Sequence, residues 1–164
     1  MTRKITEDDF DFVYELYMHP AVNPYLLYEN MAASSFRVIF DEFLSRGVKY
    51  IFENDGKPAG MFKLIPQMHR TAHIVYLGGV AIHPQFHGKG LGQTMITEIL
   101  ALARLQGFLR VELSVATNNV RAILLYEKCG FKKEGVLRKY SYLKEEDRYI
   151  DEIIMSWIDD KVLY

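Results

Sequence analysis

The sequence is poor in the features that mark secreted, membrane-embedded and polyanion-binding proteins. Its 164 residues include one cysteine, Cys129, so no internal disulfide can form and a reducing cytoplasm is the expected compartment. No apolar run approaches the roughly 20 residues of a membrane span, and acidic residues follow the start too soon for a signal peptide. The 20 basic and 21 acidic residues leave a net charge of −1, which argues against nucleic-acid and membrane partners.

Internal repeats, low-complexity tracts and flexible linkers are also missing, which predicts a single domain over residues 1–164. Apolar residues make up 49% of the chain, and a chain of this size buries roughly 70% of its unfolded surface, enough for a hydrophobic core. Aromatic residues are abundant at 13%, which indicates a well-packed core or an apolar binding cleft.

Hydrophobic periodicity and turn residues divide the chain into alternating strands and helices. The predicted helices cover residues 8–18, 34–45 and 120–129, with Ser34 or Ser35 capping the second, and a further helix runs from Leu91 until Gly107 stops it. The predicted strands cover residues 2–5, 48–53, 59–65, 71–82, 110–115, 131–134, 137–143 and 149–158. The strand–helix–strand–helix–strand order of the second half predicts a mixed α/β sheet with a parallel portion.

The most informative stretch runs from Val80 to Gly92, where a strand, a glycine-rich turn and a helix follow one another. Glycines at 88, 90 and 92 let successive backbone N–H groups face one point at the start of the helix, where the helix dipole favours an anion. Lys89 adds a positive charge, so a phosphate or pyrophosphate is the expected ligand. The spacing matches neither a Walker loop nor a dinucleotide fingerprint, and a turn that binds nothing is the alternative.

Together with a second block, this stretch resembles the GNAT acetyltransferase superfamily. The first block reads His-Pro-x-x-x-Gly-Lys-Gly-Leu-Gly from His83, and the second reads Asn-x-x-Ala-Ile-x-Leu-Tyr-Glu-Lys-x-Gly-Phe from Asn119. The resemblance spans the chain and is strongest over residues 76–131. It implies an α/β fold: a single mixed, mostly antiparallel central sheet of about seven strands with flanking helices, splayed in the middle. It also implies an N-acetyltransferase that moves acetyl from acetyl-CoA directly to a primary amine.

The same resemblance implies which residues bind acetyl-CoA as cosubstrate. The pyrophosphate would be held by the loop residues His87, Gly88, Lys89, Gly90, Leu91 and Gly92. The pantetheine arm and thioester would lie beside Val80, Ala81, Ile82, Asn119 and Tyr126. His87 stands where the family usually has Gln or Arg, which should weaken phosphate binding without abolishing it. No metal site is expected, because His69 and His83 have no ligand partners at suitable spacing.

Two features bear on catalysis. The family pattern makes Tyr126 the general acid that protonates the leaving thiolate, although an aromatic that only packs is the alternative. The pair Gly78-Gly79 inside an apolar strand predicts a bulge that frees backbone groups for the pantetheine amides, or else a glycine required by close packing.

The general base stays open. Many relatives carry a glutamate where Tyr76 stands, others where Ser114 stands, and neither position is a carboxylate here. Glu112, acting through a water, and His73 are the candidates, and ordered waters alone are the third alternative. Because Cys129 has no histidine placed near it by the sequence, direct transfer without an acetyl-enzyme is expected.

The acceptor is a small-molecule or peptide amine that the sequence does not identify. Aromatic residues of the N-terminal helices and C-terminal strands, together with a few carboxylates, would suit an amine by cation–π contact and ion pairing. A non-catalytic acyl-CoA sensor is the rival hypothesis, since the usual carboxylate base is missing. A homodimer is compatible with the aromatic surplus but not required by it.

Overall fold

The structure is a computed structural model that describes residues Met1–Lys161, so the last three residues of the predicted domain lie outside it. The chain folds into two compact units. The first contains residues 1–64 and 79–95, and the second contains residues 65–78 and the chain from Ile96 onward. None of the described helices has the length and apolar character needed to cross a bilayer.

Within the described residues, four α-helices and seven strands make up the regular structure, together with short 3₁₀ turns. The helices are α1 (Phe10–Met18), α2 (Ala33–Arg46), α3 (Leu91–Leu105) and α4 (Val120–Lys128). The strands are β1 (Thr2–Lys4), β2 (Lys49–Asn54), β3 (Lys57–Pro66), β4 (Ile74–Ile82), β5 (Arg110–Ala116), β6 (Lys132–Leu143) and β7 (Arg148–Ile158). The strands form one sheet in the order β1-β2-β3-β4-β5-β7-β6. Of the neighbouring pairs, β4 and β5 run parallel, whereas β1–β2, β2–β3, β5–β7 and β6–β7 are antiparallel.

This mixed, mostly antiparallel seven-stranded sheet confirms the predicted fold class. The parallel register of β4 and β5 runs from Ile74 opposite Arg110 to Tyr76 opposite Glu112, and both strands continue beyond these pairs. The end of this register corresponds to the predicted splay, and it comes just before the Gly78-Gly79 pair.

Several boundaries differ from the sequence predictions, most of them by one or two residues. Helix α2 begins at Ala33 with Ala32 as its N-cap, not at Ser34 or Ser35, and no side chain caps it. The earlier start follows from the backbone hydrogen bonds, because the carbonyl of Ala32 already accepts from the N–H groups of Ser35 and Phe36. The strand predicted from residue 71 begins at Ile74, after a 3₁₀ turn. The strands predicted at 131–134 and 137–143 are one strand, β6, which stays paired with β7 through two register shifts.

The core of the first unit is built from α1, α2 and the strands they cover. Its buried side chains are Ile5, Val13, Leu16, Tyr17, Val22, Phe36, Phe40, Phe43, Ile51, Met61 and Ala81. Four of these side chains are aromatic, and Phe10, Phe12, Tyr14 and Tyr28 pack against the cluster as partly buried rings. The aromatic residues of helices α1 and α2 therefore lie mainly in the core, because the spacing of the apolar residues places them on the buried face of each helix.

In the second unit, β5 shows the expected alternation. Val111, Leu113 and Val115 are buried, whereas Glu112 and Ser114 on the opposite face are partly exposed. This alternation is the normal pleat of a strand, and it places two polar side chains of interest on one face.

Candidate active site

The glycine-rich loop of the first unit has the conformation of an anion-binding turn. Gly88 and Gly90 adopt left-handed φ angles of +78° and +74°, and a Cβ at either position would meet open space. Among the described residues, no protein acceptor takes the N–H groups of residues 88–92, which precede and open α3. The Lys89 ammonium lies 5.5 Å from the centroid of the Phe86 ring. These free donors and the lysine charge favour an anionic ligand.

Two histidines hold this loop in place. The Nε2 atom of His87 lies 3.0 Å from the carbonyl oxygen of Ile82, and because a carbonyl only accepts, this nitrogen donates. The backbone N–H of His87 is also engaged, since it donates to the carbonyl of Pro84. His83 Nε2 lies 3.1 Å from Glu15 Oε1. The side chain in the family's Gln/Arg position therefore fastens the loop to the end of β4, and the free N–H groups begin at Gly88.

The predicted interruption of β4 lies at Gly79, whose φ of +56° is left-handed. A Cβ there would stand 2.8 Å from the Tyr17 hydroxyl and 3.0 Å from Lys49 Nζ, so both the backbone conformation and the packing require glycine. The strand then continues through Val80, Ala81 and Ile82. The packing interpretation is confirmed at this residue, whereas the freeing of backbone groups for the pantetheine amides stays a prediction.

Tyr126 lies in the second unit, on α4. Its ring packs 5.6 Å from the Phe131 ring and is buried, and burial, followed by the proximity of Tyr76, raises the pKa of its hydroxyl. Within the described chain that hydroxyl has no hydrogen-bond partner, yet it is not one of the fully buried, unsatisfied polar atoms. The Tyr126 hydroxyl thus keeps its proton at neutral pH and is free to donate it in a hydrogen bond.

The other residues of the second sequence block are placed at the ends of α4. Asn119 caps the helix, and its Oδ1 accepts a 3.3 Å hydrogen bond from the N–H of Ala122. Cys129 is the C-cap residue and is half-buried, and burial raises the pKa of its thiol. A raised pKa makes the thiolate scarce and the cysteine a poor nucleophile.

The two positions where a base was sought are in contact with each other. The hydroxyls of Tyr76 on β4 and Ser114 on β5 lie 3.0 Å apart. Burial raises the pKa of Tyr76 despite this hydrogen bond.

The two candidate bases have different surroundings. Glu112 is the cross-strand neighbour of Tyr76, and its carboxylate accepts hydrogen bonds from Arg110 Nε at 2.7 Å and Gln67 Nε2 at 3.2 Å. His73 precedes β4 and is exposed, and its carbonyl accepts from the N–H of Leu109. His73 belongs to the turn before β4, so the pleat of the strand does not direct its side chain toward Tyr76. Glu112 is therefore better placed than His73 relative to Tyr76.

Two functional-site candidates were missed by sequence reasoning. Lys49 and Lys63 are buried in the first unit, against the rings of Tyr17, Tyr28 and Phe43. The sequence feature that could have indicated them is the presence of a lysine in each of two strongly apolar strands, β2 and β3. Of the aromatic residues expected at the acceptor cleft, Tyr17 and Phe36 are core, whereas Tyr25, Tyr140 and Tyr142 are exposed.

Comparison with known proteins decides the family. A model described as "Acetyltransferase (GNAT) family" matches residues 9–131, which is most of the chain. The chain belongs to this acetyltransferase family. It is therefore an enzyme of the acyltransferase class, and the predicted resemblance is confirmed.

The relatives are N-acetyltransferases. The acetyltransferase is 33% identical over 118 residues to the uncharacterized N-acetyltransferase Mb2688 of Mycobacterium bovis, covering 71% of this chain and 74% of that protein. It is 28% identical over 153 residues to the uncharacterized N-acetyltransferase YoaA of Bacillus subtilis, and the match covers 85% of this chain and 83% of that protein. The crystal structure of spermidine N-acetyltransferase from Vibrio cholerae, in complex with CoA and spermine, superposes with a TM-score of 0.84 at 21% identity. The superposition covers 98% of this chain and 96% of that chain. At this identity the last comparison shows the fold alone.

Proposed function

We propose that the acetyltransferase moves the acetyl group of acetyl-CoA directly to a primary amine, in the cytoplasm. The observation that carries this proposal is the loop at residues 88–92. Its free N–H groups, its two left-handed glycines and Lys89 form an anion site at the start of α3, in a chain of the GNAT family. Because the chain belongs to this acetyltransferase family, we infer that the anion is the pyrophosphate of acetyl-CoA.

The pantetheine arm is proposed to pair with the backbone of Val80, Ala81 and Ile82. The left-handed turn at Gly79 interrupts regular pairing just before these residues, which supports a role for their backbone groups in binding. His87 supports this segment indirectly, because its ring bonds to the Ile82 carbonyl. Asn119 uses its amide oxygen as a helix cap, so its amide nitrogen is the group left for the cosubstrate.

In the reaction, the neutral amine nitrogen attacks the carbonyl carbon of the thioester, an N–C bond forms and the C–S bond breaks. The amine loses a proton, and the CoA thiolate gains one. Tyr126 is the proposed donor to the departing sulfur. Burial raises the pKa of its hydroxyl, so the phenol is protonated when the thiolate forms. It gives that proton to the sulfur as the general acid and takes one back from solvent.

The proton of the amine is proposed to leave through a water held by Glu112. That carboxylate lies on the same face of β5 as Ser114 and opposite Tyr76, and Arg110 and Gln67 fix its orientation. His73, exposed and ahead of the strand, is the second candidate. The thiol of Cys129 stays outside the reaction, because its raised pKa disfavours the thiolate that an acetyl-enzyme would require.

The experiment is an assay of free thiol release from acetyl-CoA with a panel of polyamines, amino acids, aminoglycosides and peptide N-termini. Intact-protein mass spectrometry follows the same reactions. We expect thiol release that depends on one class of amine, with no acetylated protein intermediate. A chemically competent acetyl adduct on the protein would overturn direct transfer. Tight acetyl-CoA binding without acetylation of any amine would favour the acyl-CoA sensor instead.

A further inference from the structure

Lys49 is a fully buried lysine in the first unit. Its ammonium donates a 2.8 Å hydrogen bond to the hydroxyl of Tyr17 and lies 3.4 Å from the carbonyl oxygen of Gly79. It also lies 4.5 Å from the centroid of the Tyr17 ring and 5.4 Å from that of Phe43. Its partners are therefore a neutral hydroxyl, a carbonyl and two ring faces.

Lys63 stands directly opposite Lys49 in the antiparallel register of β2 and β3. It is 8% exposed, and its ammonium lies 5.6 Å from the centroid of the Tyr28 ring and 5.4 Å from that of Phe43. Tyr28 is only half-buried, so this side of the cluster reaches the surface. We call these five residues, Lys49, Lys63, Tyr17, Tyr28 and Phe43, the lysine cluster.

The lysine cluster holds two basic side chains and no anion. Within the described chain, neither Lys49 nor Lys63 has a carboxylate at ion-pair distance. The charged groups that influence Lys63 are Arg46 and Glu42, which pair with each other at 3.1 Å. Buried charges in proteins are normally paired, because an unpaired charge loses its hydration without compensation. Burial lowers the pKa of both lysines, and the charge of Lys63 lowers that of Lys49 further.

The lysine cluster converges on the interruption of β4. A Cβ on Gly79 would stand 2.8 Å from the Tyr17 hydroxyl, 3.0 Å from Lys49 Nζ and 3.4 Å from Lys63 Cε. These short distances show that the Tyr17 hydroxyl and the two lysine arms fill the space beside Gly79, so a ligand reaches the cluster from the side of Lys63 and Tyr28. An anion bound on that side would favour the protonated, cationic form of the lysines.

We propose that the lysine cluster binds a carboxylate of the acceptor, so that the substrate is an amine that also carries a carboxylate. The inference rests on the proposed transfer to an amine and assigns its substrate class. Lys63, at the open side of the cluster, contacts the carboxylate, and Lys49 stands behind it as a second positive charge. A polyamine such as the spermine bound in the Vibrio cholerae structure would bring more positive charge against two lysines, so we expect it to be a poor acceptor.

The test measures binding separately from turnover. With CoA bound at saturation, calorimetry compares N-acetyl amino acids with their carboxamides, which have the same size but no charge. We expect the carboxylates to bind at least about tenfold more tightly than the carboxamides. Lys63→Gln should remove this preference, Lys63→Arg should keep it, and Lys57→Gln, an exposed lysine on the same strand, should leave it unchanged. Melting temperatures confirm that each variant is folded.

Equal affinity for carboxylates and carboxamides in the wild-type protein overturns the proposal, as does a preference that survives in Lys63→Gln. A second arm compares acetylation of amino acids and of the amines that lack only the carboxylate, and kcat/KM should be higher for the amino acids by about tenfold or more. If no amine is acetylated while the carboxylate preference in binding is present, the proposed activity fails and the carboxylate site stands. Efficient acetylation of spermidine and not of amino acids leaves the activity intact and overturns the carboxylate site.

Discussion

The hydroxyl oxygen of Tyr76 lies 3.0 Å from that of Ser114, across the parallel strands β4 and β5. The family resemblance places a glutamate at one or the other of these positions in many relatives. In this acetyltransferase two neutral hydroxyls occupy both positions and bond to each other. A proton released by the amine must therefore take another route, and the residue opposite Tyr76 in the strand pair is the carboxylate Glu112.

Tyr76→Phe should change stability more than catalysis. It removes one hydrogen bond and leaves Ser114 without its partner, so we expect the free energy of unfolding to fall by about 1 kcal/mol. Because burial raises the pKa of Tyr76, its hydroxyl does not titrate near neutrality, and the pH profile of kcat/KM should keep its shape. Urea unfolding and rates between about pH 6 and pH 9 test both points, with Ser114→Ala as the matched variant. If the pH at which kcat/KM rises or falls shifts in Tyr76→Phe, the hydroxyl of Tyr76 takes part in catalysis and the prediction is wrong.

Tyr126→Phe should separate chemistry from binding. Without the hydroxyl, the developing thiolate loses its donor, and we expect kcat to fall by about a hundredfold. The dissociation constant of acetyl-CoA should change by less than about threefold, since the buried ring still packs on Phe131. Steady-state kinetics and calorimetry measure the two effects. Tyr149→Phe, at an exposed tyrosine, is the control, and an unchanged kcat in Tyr126→Phe would show that the ring only packs.

The parts of this protein that could be predicted from the sequence are those determined by local signals. The turn before α3 follows from its alternating glycines, and the start of α4 follows from the capping preference of Asn119. The alternation along β5 follows from its pattern of apolar residues. Each of these depends on neighbours within a few residues, so one sequence is sufficient.

The parts that could not be predicted depend on register between distant residues. Lys49 and Lys63 face each other only because β2 and β3 pair in one register, and Tyr76 meets Ser114 only because β4 and β5 do. The role of His87 also depends on a contact, the hydrogen bond to Ile82, that residue type alone does not indicate. The site is therefore less predictable than the fold.

Glu112→Gln and His73→Gln should differ in their effect on turnover. Glu112 is fixed by Arg110 and Gln67 on the face of the sheet that carries Ser114, so its loss should lower kcat/KM by about tenfold or more. His73 is exposed ahead of β4, and its replacement should change kcat/KM by less than about twofold. The pH dependence of kcat/KM in both variants is the measurement. If both match the wild type, bulk-connected waters carry the proton and neither side chain is the base.

Lys89→Gln should weaken acetyl-CoA binding in a salt-dependent way. Lys89 is an exposed charge beside the free N–H groups of the loop, so we expect a loss of about threefold to fivefold at low ionic strength and less at about 0.5 M salt. Gly90→Val should cost more at any salt concentration, because a β-branched residue avoids its φ of +74°. Calorimetric titrations with acetyl-CoA test both, and Lys57→Gln is the control. Equal losses at both salt concentrations would show that the Lys89 charge is not involved.

Asp9 provides a prediction about stability against pH. Its buried carboxylate accepts hydrogen bonds from Arg3 at 2.7 and 2.9 Å and from the N–H of Thr6 at 2.8 Å. Burial alone would raise the pKa of Asp9, but the hydrogen bonds from Arg3 and Thr6 outweigh it and the pKa is lowered. Asp9→Asn should therefore reduce the free energy of unfolding at neutral pH by about 2 kcal/mol.

The pH dependence follows from the sign of this shift. Because the carboxyl of Asp9 is more acidic in the folded chain than in the unfolded chain, its contribution is complete above the unfolded value of about 3.9 and is lost as the pH falls below it. Urea unfolding at about pH 7, 5 and 3.5 should show the difference between wild type and Asp9→Asn shrinking only at the lowest pH. Asp8→Asn, at the exposed neighbour, should stay within about 0.5 kcal/mol of wild type. A constant difference across the whole range would mean that the ion pair with Arg3 contributes nothing and that the Asp9→Asn variant is destabilised for steric reasons.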